Sequence, residues 1–177
     1  MKEWLYLETL PFKSRVILAA DWLKICRNIL DIGGYRTPIY HYLDPISSKV
    51  VVIDPRIENQ ILCDWISIHG RWQDHFFEPR DEQGFLCLGL EIQAPSDCWE
   101  NFISFIDGCK RAVIGVAVDH IHSVNQFNRI RDGLKKIELK YTVGLDLSNN
   151  DFSHLKDSAP PYTNRRLYFF ERGKDVT

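Results

Sequence analysis

The sequence predicts an α/β fold. Helices should cover both faces of a doubly wound, mostly parallel, seven-stranded sheet whose last strand runs antiparallel. Three observations carry this. Short apolar, β-branched runs alternate with helical patterns along the chain, the rhythm of βαβ units around a buried parallel sheet. The first of these runs ends in a glycine pair, where a sheet of this kind opens its ligand crevice. The last two runs are separated by NNDFSHLKDSAPPYTNR, which has no helical period and holds Pro160-Pro161. A parallel crossover needs more structure than that, so a long loop between antiparallel strands fits better.

The elements follow in order. Ser14 is a candidate cap for a helix in which Val16, Ile17, Ala20, Leu23 and Ile25 mostly share one face. The first strand reads Asn28-Ile29-Leu30-Asp31-Ile32 and stops at Gly33-Gly34. Thr37-Pro38 looks like a cap and first-turn proline opening a short helix, IYHYL. The second strand is KVVVID, Lys49 to Asp54, followed by a weakly helical stretch from Ile57 to Cys63. The third is WISIH, Trp65 to His69, and the fourth FLCLGLEI, Phe85 to Ile92. Asp97 and Glu100 have capping-box spacing before Phe102, Ile103 and Ile106. The fifth strand is AVIGVAV, Ala112 to Val118. Ser123 and Gln126 repeat the capping-box spacing before an amphipathic helix bearing Phe127, Ile130, Leu134 and Ile137. The sixth and seventh strands run from Tyr141 to Leu147 and from Arg166 to Glu171.

The totals narrow the function classes. A chain of 177 residues that is 45% hydrophobic and 26% charged can build one packed core, so a single domain over 1–177 is expected, with 1–13 as an N-terminal extension. A formal net charge of −2 does not favour nucleic acid or anionic lipid, and the Arg165-Arg166 pair alone makes no nucleic-acid surface. The first residues lack the marks of a signal peptide, and no apolar run is long enough for a bilayer. Five cysteines without a C-x-x-C pair read as reduced thiols of a cytoplasmic protein. Six scattered histidines, of which only His120 and His122 are close, give no metal signature.

The ligand signal lies at the ends of the first two strands. Glycines at 33 and 34 let the backbone turn sharply and let a ligand approach it. Asp54 ends the second strand 54 − 31 = 23 residues after Asp31, where an acid can accept hydrogen bonds from both hydroxyls of a ribose. Together they point to an adenosine-containing ligand. A dinucleotide would want G-x-G-x-x-G, but the loop reads G-G-Y-R-T-P. Tyr35 blocks the close approach of a pyrophosphate, and Pro38 removes an amide. S-adenosylmethionine has no phosphate and asks less of the loop.

The order Asp31-Ile32-Gly33-Gly34, then VVVID ending at Asp54, then FLCLGLEI and AVIGVAV, resembles the class I S-adenosylmethionine-dependent methyltransferases, a Rossmann-like superfamily. The likeness covers nearly the whole chain from about Ser14. One departure stands out: Tyr35 occupies the next expected glycine position. The resemblance implies an enzyme with S-adenosyl-L-methionine as cofactor. Asp31, Gly33 and Gly34 would sit at the methionine end, with Tyr35 also among the cofactor-binding residues. Asp54 would hold the ribose, with Pro55 and Arg56 beside the adenine. After the third strand, Asp74 is the candidate acid for the adenine amino group, and Arg71 follows Gly70. Trp72 either stacks on adenine or packs at the sheet's edge.

Methyl transfer is mainly a matter of alignment and water exclusion, and a base is needed only if the acceptor must lose a proton. Glu91, at the expected end of the fourth strand, and His120 and His122, after the fifth, are the candidates. Each has an ordinary alternative, as a solvated strand-end acid or a loop histidine. A small-molecule acceptor is expected before a macromolecular one. Two other functions stay open: a non-catalytic relative serving as an interaction module, and a nicotinamide-dependent oxidoreductase.

Overall fold

A computed structural model describes residues 10–34, 39–43, 48–61, 65–74, 82–89, 99–117, 121–134, 139–147 and 165–172. The strands in chain order are β1 (Asn28–Ile32), β2 (Lys49–Asp54), β3 (Gln60–Ile61), β4 (Trp65–His69), β5 (Gln83–Cys87), β6 (Arg111–Ala117), β7 (Leu139–Leu147) and β8 (Arg165–Arg172). The helices are α1 (Leu10–Leu23), α2 (Trp99–Asp107) and α3 (Ile121–Leu134), with 3-10 turns at Ile39–Tyr42 and Trp72–Asp74. Among the described residues, no helix is long and apolar enough to cross a membrane.

The strands form one sheet in the order β3-β4-β2-β1-β5-β6-β8-β7. β1 pairs in parallel with β2 on one side and β5 on the other, β2 with β4, and β5 with β6. β8 lies antiparallel between β6 and β7, as the proline-rich connection predicts. The seven expected strands are all present. The eighth is a two-residue edge piece, β3, antiparallel to β4.

Strand alternation builds the layers. On one face Leu30, Ile32, Ile53, Phe85, Ile114 and Phe170 pack under Phe102 and Ile106 of α2 and Phe127 and Ile130 of α3. On the other, Ile29, Val50, Val52, Leu86 and Val113 pack under Val16, Ala19, Ala20 and Leu23 of α1 and under Ile39. Each large apolar side chain so buried contributes roughly 1.5–3 kcal/mol. At the amino ends of the parallel strands, the Trp22 indole donates to the Phe170 carbonyl (3.3 Å), and the Arg111 guanidinium lies 4.2 Å over its ring. Arg111 also donates to the Trp22 carbonyl (2.9 Å) and pairs with Glu171, which ties α1 to β6 and β8.

Several boundaries differ from the sequence reading. α1 starts at Leu10, so Ser14 lies within the helix and does not cap it, and Ile17 and Ile25 are exposed. Pro11 is tolerated in a first turn because that amide has no helical acceptor. The stretch from Ile57 contains β3 where a weak helix was expected. IYHYL forms a 3-10 turn. β5 begins at Gln83 and ends at Cys87, short of the expected Ile92. α3 opens at Ile121, which puts Ser123 in its first turn rather than at its cap.

Candidate functional site

The chain leaves β1 towards β2 and later returns on the other side of β1 as β5, so the sheet's winding reverses beside β1. Ligands of doubly wound sheets bind beyond the carboxyl ends of the strands at that point. The groups found there are the Gly33-Gly34 turn after β1 and Asp54 at the tip of β2.

The ladder extends one bond past β1, with the Gly33 amide donating to the Ile53 carbonyl (2.9 Å). The chain then turns away at Gly33, whose φ is 82°. That value lies in the left-handed region, where a residue with a Cβ is strained. Gly34 is excluded from change for a different reason. A Cβ there would stand 2.5 Å from Asp31 Oδ2 and 2.9 Å from Val52 Cγ1. The turn is therefore folded directly over the Asp31 carboxylate.

Asp31 is buried on the α1 face of the sheet, and its Oδ2 accepts the Ile39 amide at 2.9 Å. It thereby ties the 3-10 turn back to the end of β1. Burial pushes its pKa from an ordinary 3.8 up to about 7; the Ile39 amide opposes this, and the like charge of Asp54 adds to it. Such burial is costly for the ionised carboxylate, which gives up its water.

Asp54 lies on the same face and is fully buried. Its Oδ1 accepts the Arg56 amide (2.8 Å) and Arg56 Nε (3.0 Å), while Oδ2 accepts Arg56 Nη2 (2.9 Å). The Asp54 carbonyl receives the amides of Ile57 (3.3 Å) and Gly70 (3.4 Å), which fixes the turn after β2 and joins it to the chain leaving β4. His69 is held there too, its amide donating to Asn59 Oδ1 (2.7 Å) and its Nδ1 lying 3.0 Å from the Ile57 carbonyl.

Beyond β4, Arg71 and Asp74 are exposed and flank Trp72. The indole is buried in the core on the sheet face opposite Asp31 and Asp54. Its ring meets Phe102 edge-on at 4.7 Å between centroids and Phe105 at 5.6 Å. Of the two readings of Trp72, packing is the one these contacts describe. β6 approaches the end of β5 closely, since a Cβ on Gly115 would stand 2.7 Å from the Leu88 carbonyl oxygen.

Comparison with solved structures identifies the architecture. The methyltransferase domain of bacterial CtHen1-C superposes with a TM-score of 0.63 at 8% identity, covering 93% of this chain and 100% of that one. Magnesium protoporphyrin IX methyltransferase from Synechocystis PCC 6803, solved with bound SAM, gives 0.59 at 13% identity, over 93% and 81%. The plantazolicin methyltransferase BpumL, solved with SAH and a monoazolic desmethylPZN analog, gives 0.58 at 14%, over 92% and 84%. The chain has the class I methyltransferase fold. No protein-family profile and no curated protein sequence matches it.

Within this methyltransferase fold, the structure brings Asp31, Gly33, Gly34, Asp54 and Pro55 together at the ends of two adjacent strands. Tyr35, Glu91 and His120 lie outside the described residues. His122 falls in the first turn of α3 and not in the preceding loop. The sequence reading placed Arg56 beside the adenine and missed its grip on Asp54. The Asp54-Pro55-Arg56 turn was the available signal, since an Asp side chain commonly accepts the amide two residues on. Cys26, Cys87 and Cys109 are buried; the Cys109 thiol donates to the Phe105 carbonyl (3.0 Å), and burial pushes the Cys26 thiol up to about 11.

Proposed function

We propose that the chain is an S-adenosyl-L-methionine-dependent methyltransferase acting on a small-molecule acceptor in the cytoplasm. The observation that carries this is the side-by-side placement of the Gly33-Gly34 turn and the Asp54 carboxylate at the reversal point of the sheet. The residues fit the cofactor. The turn offers backbone without a Cβ to the methionine moiety. Both Asp54 oxygens already accept donors from one planar group, so the carboxylate is oriented to take the two hydroxyls of a ribose. Asp31 supports the turn from below, and a cofactor ammonium beside it would favour its ionised form. Pro55 and Arg56 border the adenine, with Arg71 and Asp74 at its rim and Tyr35 at the methionine end. When bound, the cofactor supplies an electrophilic methyl group. The protein's part is to hold it in line with the acceptor and to exclude water. Glu91, His120 and His122 are the candidate proton acceptors should the acceptor have to lose a proton.

Titration calorimetry with S-adenosylmethionine and S-adenosylhomocysteine tests this reading. Both should bind, and Asp54→Asn should weaken each by about tenfold, as expected for losing one charge-assisted hydrogen bond. Absence of binding at millimolar ligand, both in the wild type and in a variant without the Arg56 guanidinium, removes the reading. The second reading, a non-catalytic interaction module on the same fold, draws on one observation: Arg56 already fills the Asp54 carboxylate.

A further inference from the structure

Asp54 carries the ribose end of the proposed cofactor site, and the inference that follows rests on that reading. Its carboxylate is shielded from solvent, with a side-chain exposure of 0%, and one guanidinium spans both oxygens. A two-pronged pair of this kind fills the plane from which a vicinal diol would donate. Three hydrogen bonds to the carboxylate come from Arg56, one from its amide and two from its side chain. The amide bond belongs to the turn and is compatible with a ligand. The two side-chain bonds are not, because they use the donor positions the ribose needs.

We propose that Arg56 is a built-in competitor for the ribose subsite, whose side chain must leave Asp54 before an adenosine ligand can seat. The local structure supports a side-chain movement rather than an unfolding of the turn. The Asp54 carbonyl is anchored by the amides of Ile57 and Gly70, so the backbone bearing Arg56 is fixed. The Arg56 side chain keeps 30% of its surface exposed, so solvent reaches it without any shift of the backbone. The pairing has a physical reason. A buried, ionised carboxylate with no partner is strongly unfavourable, and Asp31 nearby adds like charge. Arg56 neutralises Asp54 while no ligand does so. The resulting affinity equals the intrinsic affinity scaled by the fraction of molecules in which the pair is open.

The test measures S-adenosylhomocysteine binding by calorimetry in the wild type, Arg56→Met and Arg56→Lys. Methionine keeps the aliphatic stem and removes both prongs; lysine retains a single prong. The expected result is a dissociation constant about tenfold lower in Arg56→Met, with Arg56→Lys between it and the wild type. Binding by the variant alone also supports the proposal. If wild type and variants all bind and Arg56→Met binds no tighter, the proposal is overturned and the ribose role of Asp54 stands. If none binds at millimolar ligand, the ribose reading fails and takes the proposal with it. Should Arg56→Met not fold, Arg56→Lys decides: it should bind S-adenosylhomocysteine more tightly than the wild type, and equal or weaker binding overturns the proposal.

Discussion

Asp31 offers a sharp quantitative test because its cost can be worked from its surroundings. The carboxyl is enclosed by the sheet, the Gly33-Gly34 turn and the 3-10 turn, and burial holds its pKa at about 7 against an ordinary 3.8. Its folded value is raised, so its stabilising contribution is fully present below about pH 4. Between pH 4 and 7 the unfolded chain releases the proton while the folded one keeps it, and the contribution is lost as the pH rises through 7. At about 1.36 kcal/mol per pKa unit, the loss is of order 4 kcal/mol. Asn in place of Asp31 can still accept the Ile39 amide but cannot ionise. The stability of Asp31→Asn relative to wild type should therefore climb from near zero at pH 4 to several kcal/mol at pH 8. Urea unfolding at each pH measures the difference, in which the remaining titrating groups largely cancel. A difference that stays flat from pH 4 to 8, or a variant less stable than wild type at pH 8, would refute the reasoning.

Other substitutions separate the site from its scaffold. Gly34→Ala places a Cβ 2.5 Å from Asp31 Oδ2 and should cost about 1–3 kcal/mol in urea unfolding, with loss of S-adenosylhomocysteine binding. Trp72→Ala should cost about 3–5 kcal/mol, whereas Trp72→Phe should lose less and keep ligand affinity within about twofold, because the indole packs on Phe102. Lost affinity with unchanged stability in Trp72→Phe would restore the adenine-stacking role. Glu171→Gln should change stability by less than about 1 kcal/mol because that partner is half exposed. Arg111→Met should cost more, since it also removes the bond to the Trp22 carbonyl; equal effects of the two would contradict this.

The sequence was most legible where apolar runs meet punctuation. β1, β2 and β4 have the expected bounds because Gly33-Gly34, Asp54-Pro55 and His69-Gly70 stop them. The antiparallel β8 followed from the proline-rich connection before it. The fourth run was read too long because its apolar residues continue past the point where the backbone bends at Leu88. β3 was missed because two exposed residues, Gln60 and Ile61, carry no periodicity. The start of α1 was missed because Pro11 was not credited as a first-turn residue. That Asp31, Gly33, Gly34 and Asp54 meet at the ends of two strands was legible from the apolar runs and their punctuation. The raised pKa of Asp31 and the Arg56 pairing were not, since both depend on how the turn closes over the strand ends.

A crystal structure of the protein with S-adenosylhomocysteine tests the central claim most directly. The ribose hydroxyls should lie within hydrogen-bond distance of both Asp54 oxygens, with Arg56 swung away and the homocysteine moiety along Gly33-Gly34. A ligand bound elsewhere while Arg56 still spans Asp54 would contradict it.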